Sequence, residues 1–274
     1  MKLYSLVLGT TLFSGTNFVS AQPYQFELQG GFSRVNVSVD GFADELESDI
    51  VFFEARYFLQ PVDHGDGPLS ERAFLDKAAS VALEYSEESP DIGESVDTIG
   101  IDARFVTSTD TIISLEYITV DTVDDRGFDI FGVGVGRYLD NQTTFLGMFQ
   151  RTDVDDAAID SISLNLRKVE EGGAVGSVVA YEGSFGILMV SDDFGNDENG
   201  FEFVARATYF PTEQLGIGGG LAYRDIDDFD STIFGVDIEY FLNEPISLSA
   251  GFERRSTSLD IDTDILLVGV AARF

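Results

Sequence analysis

From residue 24 to the last residue, 274, the chain alternates apolar and polar side chains with a period of two, and short Asp-rich stretches break the rhythm at regular intervals. That period is the mark of strands with unlike faces. "DIVFFEARYFLQ" sets Val51, Phe53, Ala55, Tyr57 and Leu59 on one face against Glu54 and Arg56. "ASVALEYS" sets Val81, Leu83 and Tyr85 against Ala82 and Glu84, and "TIGIDARF" sets Ile99, Ile101, Ala103 and Phe105 against Asp102 and Arg104. In "PYQFELQGGF" the same rule groups Tyr24, Phe26, Leu28 and Phe32. Continued to the terminal "ILLVGVAARF", it yields about fourteen strands. "FDIFGVGVGRYL" places Arg137 on the face of Val133 and Val135, and "AVGSVVAYEGSFG" is long for one strand. Pro23, Pro61, Pro68, Pro90, Pro211 and Pro245 all fall at strand ends or in connections, as an unbroken hydrogen-bond ladder requires.

Composition narrows what such strands can build. The formal net charge is -33, so there is no basic stripe for phosphates and nucleic acid is excluded as a partner. Cysteine is absent, which removes disulfides and thiolate metal sites. Residues 1–21 carry Lys2, an apolar stretch and then Val19-Ser20-Ala21, the pattern of a secretory signal cut before Gln22. The mature chain, 22–274, is then a single domain one charge more negative. No later run of about 18 apolar residues offers a transmembrane helix. An exported chain can still cross a membrane with strands.

The connections alternate in character. "TSTD", "LDNQ", "PTEQ" and "LNEP" are short, whereas "GFADELESD", "SEESPDIGESVD", "DTVDDRGFD", "TDVDDAAID", "SDDFGNDENG", "RDIDDFDS" and "STSLDIDTD" read as longer acidic loops. Short turns inside and longer loops outside suit an all-β transmembrane antiparallel barrel with both termini in the periplasm. Glu54, Arg56, Glu84, Asp102, Arg104, Glu116, Arg167, Glu182, Glu202, Arg206, Arg224, Asp237, Glu239, Glu253 and Arg273 lie opposite the apolar stripes and are expected to line the lumen. Phe53, Tyr57, Leu83, Ile101, Phe105, Leu115, Phe203, Tyr209, Leu221, Val236, Tyr240, Leu248, Phe252, Val268 and Phe274 are expected to face lipid.

The leader, the stretch "EARYFLQPVDHGDGPLSERAFLDKAASVALEY" and the terminal "GVAARF" together resemble the general bacterial porins of Gram-negative bacteria. The resemblance spans the mature chain, and its most specific part is "ARYFLQPV" followed by "GPLSERAFL". It implies an outer-membrane location among lipid and lipopolysaccharide. It also implies that Phe274 closes a signal read by the outer-membrane assembly machinery, with Ala272 in place of the common aromatic two residues earlier.

The remaining motifs are weak. His64, the single histidine, sits between Asp63 and Asp66 in a turn-like stretch and reads as a solvated residue rather than a catalyst or ligand. Asp192, Asp193, Asp197 and Glu198 could supply oxygen ligands to calcium but lack EF-hand spacing. Residues 67–80, "GPLSERAFLDKAAS", suit a short helix; loop statistics favour a turn packed on the rim over a constriction folded into the mouth. The expected function is a passive diffusion channel for small hydrophilic solutes or ions, cation-preferring, non-enzymatic and without cofactor. A plugged or gated transporter of hydrophobic compounds and a sealed surface-interaction barrel are the alternatives.

Overall fold

Alternation this regular leaves each strand one face for lipid and one for the interior, and only ring closure then satisfies every edge. A computed structural model describes residues 23–39, 46–62, 67–122, 127–154, 157–192, 197–227, 229–243 and 245–274. Its fourteen strands are β1 (Tyr24–Val39), β2 (Leu46–Val62), β3 (Ser80–Pro90), β4 (Val96–Val106), β5 (Thr111–Thr122), β6 (Phe128–Tyr138) and β7 (Thr143–Val154), followed by β8 (Ala157–Glu171), β9 (Val178–Asp192), β10 (Asp197–Thr212), β11 (Leu215–Ile226), β12 (Phe229–Asn243), β13 (Ile246–Thr257) and β14 (Ile261–Arg273). Each pairs antiparallel with its sequence neighbours, and β1 pairs with β14 to close the barrel. The start of β1 and the last residue meet at this seam, where the Phe274 carbonyl accepts from the Gln25 and Phe26 amides.

All fifteen residues expected to face lipid are exposed on the outside. With their neighbours they form a continuous apolar belt far larger than the apolar patches of water-soluble monomers. The belt ends at tyrosines bonded to carboxylates: Tyr85 to Asp97 (2.9 Å), Tyr117 to Asp129 (3.0 Å) and Tyr223 to Asp225 (3.1 Å). Beyond it, outward arginines pair with acids, as in Arg34–Asp49 (2.9 Å) and Arg254–Asp262 (2.7 Å). An apolar ring between aromatic and charged rings is the exterior of a membrane barrel.

Three expectations from sequence change. Tyr24 does not share the face of Phe26: a register shift between them turns it inward, where it packs edge-on against Phe58 (5.5 Å) and is 1% exposed. The long "AVGSVVAYEGSFG" is only partly strand, since β9 begins at Val178. The acidic connections are also shorter than expected, because the strands, 11 to 17 residues long, match or exceed the 9–11 a membrane requires and take in residues read as loop. Thus β3 runs to Pro90 and β4 starts at Val96, leaving 91–95, and 258–260 alone join β13 to β14. Much of the acidity therefore stands on strand ends. At the other end, in turn 139–142, the Gln142 amide donates to the Asp140 carboxylate (2.7 Å) and holds its pKa below the usual value.

An arginine at position 203, on the outer face, is expected to cost roughly 2–4 kcal/mol of barrel stability at mid-membrane. Val204→Arg, on the inner face, should cost much less. Urea unfolding in lipid vesicles measures both; equal losses would contradict the assigned phase.

Candidate functional site

The strand register builds the inner wall, and small residues decide which charges meet. Arg56 on β2 reaches over Ala82 of β3 to Asp102 of β4 (3.1 Å) while also holding Glu54 (2.9 Å). Gln150 on β7 donates to Glu116 on β5 (2.7 Å) across Gly132, where an added Cβ would lie 2.9 Å from the Glu116 carboxylate. Arg206 on β10 crosses the glycines of β11 to Asp237 on β12 (2.9 Å), and a Cβ at Gly218 would overlap that carboxylate. Arg224 pairs with Glu202, and Arg167 with Glu182 (2.9 Å). Arg104 donates to the Tyr138 hydroxyl (3.3 Å), and Glu84 stands between Glu54 and Gly100 in the register.

These side chains lie on the face of their strands opposite the exposed apolar belt. The sequence reading passed over others, Glu27 and Arg255 among them, whose alternation with Phe26 and period with Glu253 could have marked them. Arg255 pairs with Glu253 (3.7 Å). Arg273 and Glu27 form a fully buried pair at the β1–β14 seam (2.9 Å), with the guanidinium 4.4 Å from the Tyr24 ring centre.

The segment expected on the rim is instead folded into the bore. After Gly67 and Pro68, a 3-10 turn (Leu69–Glu71) runs into one helical turn, α1 (Arg72–Leu75), both at the end of the barrel that carries the chain termini. Its apolar residues make separate contacts around the wall. Leu69 packs on Phe241 and Ala271; Phe74 packs on Ile112, Tyr138, Val169, Ala180 and Phe210; Ala73 and Ala78 pack with Tyr24, Phe58 and Val62. Burying these side chains outweighs rim exposure, which is why the segment turns inward. Polar links fix its orientation: Arg167 to Glu71 (2.6 Å), the Tyr138 hydroxyl to the Phe74 carbonyl (2.8 Å), the Leu69 amide to the Glu213 carbonyl (3.1 Å), and Arg72 to Glu213 (3.7 Å).

The helix ends in a Schellman motif, with Ala78 N–H bonding Ala73 C=O (2.9 Å) and Lys77 N–H bonding Phe74 C=O (3.0 Å). Lys77 occupies the left-handed position usually given to glycine, at φ 54°. Its ammonium is held by Asp110 (2.7 Å) above the Tyr138 ring. Between the plug and the wall lies a cavity of about 30 Å³ lined by Ser70, Glu71, Arg167, Thr208, Gly216 and Glu239, among others.

His64 and the core of the acidic stretch proposed for calcium, Asp193 included, lie outside the described residues. Among the described residues, no three His, Cys, Asp or Glu side chains are grouped to hold a metal.

No family model matches the chain, and no curated protein matches it. Solved structures do match. The outer membrane protein Omp33 of Acinetobacter baumannii aligns with 93% of this chain and 100% of its own at a TM-score of 0.60 and 20% identity. The chain has the fold of the outer-membrane porins and channels. The TodX monoaromatic hydrocarbon channel, as a deltaS2 mutant, aligns with 93% of this chain and 91% of its own (TM-score 0.56, 10% identity). A bacterial polysaccharide outer membrane secretin aligns with 92% and 99% (TM-score 0.53, 10% identity). Fold and apolar belt together place this barrel in an outer membrane.

Removing one partner of a fully buried ion pair typically costs about 3–5 kcal/mol, because the other charge is left uncompensated. Arg167 is partly exposed, so Arg167→Met is expected to cost less, while still lowering the barrel's melting temperature. Adding Glu71→Met should restore part of the loss. Heat-modifiable gel mobility reads both; an additive double variant would show that the pair does not anchor the plug.

Proposed function

We propose that the protein is a passive, cation-preferring diffusion channel for small hydrophilic solutes, narrowed at one end by its own 67–79 segment. The observation that carries this reading is the inner wall: it is charged and glycine-rich beyond the plug, while the apolar plug contacts are confined to the end with the chain termini. A lumen without solvent would gain nothing from so many desolvated charges. The short turns and termini are assigned to the periplasm, the acidic strand ends to the outside, and Phe274 to the signal read during assembly. Residues 1–21 act as the export signal. Lipopolysaccharide is the neighbour of the acidic collar, and no catalytic step is assigned.

Two monoaromatic hydrocarbon channels share the fold. A hydrocarbon needs an apolar path, and the ion-paired wall here favours hydrophilic solutes. Among the lumen residues read from sequence, nine carboxylates (Glu54, Glu84, Asp102, Glu116, Glu182, Glu202, Asp237, Glu239, Glu253) face six guanidiniums (Arg56, Arg104, Arg167, Arg206, Arg224, Arg273). A negative, low-dielectric passage concentrates cations.

In planar bilayers, replacing residues 69–78 by a short Gly-Ser turn is expected to give a larger steady current than the full chain. Its cation preference should shrink as salt rises from about 0.01 M to 1 M and the Debye length falls from about 30 Å to 3 Å. No current through the plug-replaced barrel would overturn the channel reading. Anion preference at low salt without divalent cations would mean that the lumen arginines set the field.

A further inference from the structure

The plug does not seal the bore evenly. Around the wall, its contacts with β1 and β2 (Tyr24, Phe58, Val62), with β5, β6 and β8–β10 (Ile112, Tyr138, Val169, Ala180, Phe210), and with β12 and β14 (Phe241, Ala271) are apolar. Close-packed apolar surfaces exclude water. The arc between the second and third of these clusters, along β10–β12, differs. There Ser70 and Glu71 of the 3-10 turn face Thr208, Gly216, Asp237 and Glu239, and the cavity of about 30 Å³ opens between them. That volume suffices for ordered water or one small ion.

Two features suit this gap to a cation. Four carboxylates line it, Glu71, Glu182, Asp237 and Glu239, against two guanidiniums, and both guanidiniums are held in ion pairs: Arg167 with Glu71 and Glu182, Arg206 with Asp237. The second is Glu239, which is only 4% exposed and whose hydrogen-bond donor is the neutral Ser247 hydroxyl (3.1 Å). Arg273 on β14 is paired with Glu27, and its charge also reaches Glu239. Gly216 keeps the wall bare at this level, since a Cβ there would press on the Phe210 ring at 2.9 Å.

We infer that the gap between the 3-10 turn and β10–β12 is the route by which small monovalent cations pass the plug while it stays in place, with Glu239 as the carboxylate that selects them. The inference rests on the channel reading and adds a path to it: ions leak past the plug on one side, and its apolar anchors need not break.

Because the chain has no cysteine, single cysteines report the path directly. In bilayers holding the full chain, a small cationic methanethiosulfonate is expected to react with Thr208→Cys and abolish most of the residual potassium current. Ser70→Cys, across the same gap, gives a second readout should Thr208→Cys fail to assemble. Ile112→Cys, in an apolar sector and 1% exposed, should stay unmodified with its current unchanged. Glu239→Gln should shift the reversal potential toward zero in the full chain and hardly at all in the plug-replaced barrel. Equal reaction at positions 112 and 208, or an unchanged reversal potential in Glu239→Gln, would overturn the inference. So would a silent full chain beside a conducting plug-replaced barrel, because the gap would then be closed and the plug would have to move. A silent plug-replaced barrel would instead sink the channel reading, and the inference with it.

Discussion

In hydrocarbon no water is available to a peptide group, so each backbone donor and acceptor must be paired within the protein. For a chain of strands the one solution is closure, and closure here depends on β1 meeting β14 in a single register, from Glu27 opposite Arg273 to Val39 opposite Ile261. The Glu27–Arg273 pair and the Tyr24 ring sit inside this seam. A slip of one residue would turn those charges out to lipid and the apolar stripe into the bore. The lipid belt, the charged wall and the placement of the plug all follow from that one register.

Closure also creates the problem that the inner wall solves. A ring of fourteen strands encloses a space too wide for one layer of side chains to fill and lined by charges that must be compensated. Long side chains on next-nearest strands meet over the small residue between them: Ala82 beneath Arg56–Asp102, Gly132 beneath Gln150–Glu116, Gly218 beneath Arg206–Asp237. The charges thus pair along the wall rather than across the bore. Among the described residues, backbone enters the bore only at the end that carries Tyr24 and Phe274, on the apolar residues Leu69, Phe74 and Ala78.

The barrel and its two faces were legible in the sequence because lipid on one side and charge on the other imprint a period of two on every strand. Phe203 and Glu202, or Leu83 and Glu84, show it without any tertiary information. Tyr24 was misplaced because a register shift at the seam breaks the period, and a shift leaves no mark in local composition. The acidic stretches looked like loops because the alternation weakens beyond the membrane, where both faces of a strand meet water. The plug was recognised as helix-forming but not located: Leu69 and Phe74 could equally have capped the rim, and the partners that draw them inward, Phe241, Tyr138 and Phe210, come from strands far away in sequence. Pairs such as Arg206 with Asp237 were invisible for the same reason, since they depend on which strand stands between.

The central claim is that residues 67–79 stand inside the folded barrel. Limited trypsin digestion of the folded protein in detergent tests it most directly, because the segment carries Arg72 and Lys77. Arg72 is buried against the wall, and Lys77 is tied to Asp110. The account requires that neither site be cut while the barrel keeps its unheated gel mobility and that both be cut once it is boiled. Cleavage after Arg72 in the unheated barrel would show the segment outside the bore and would contradict the account.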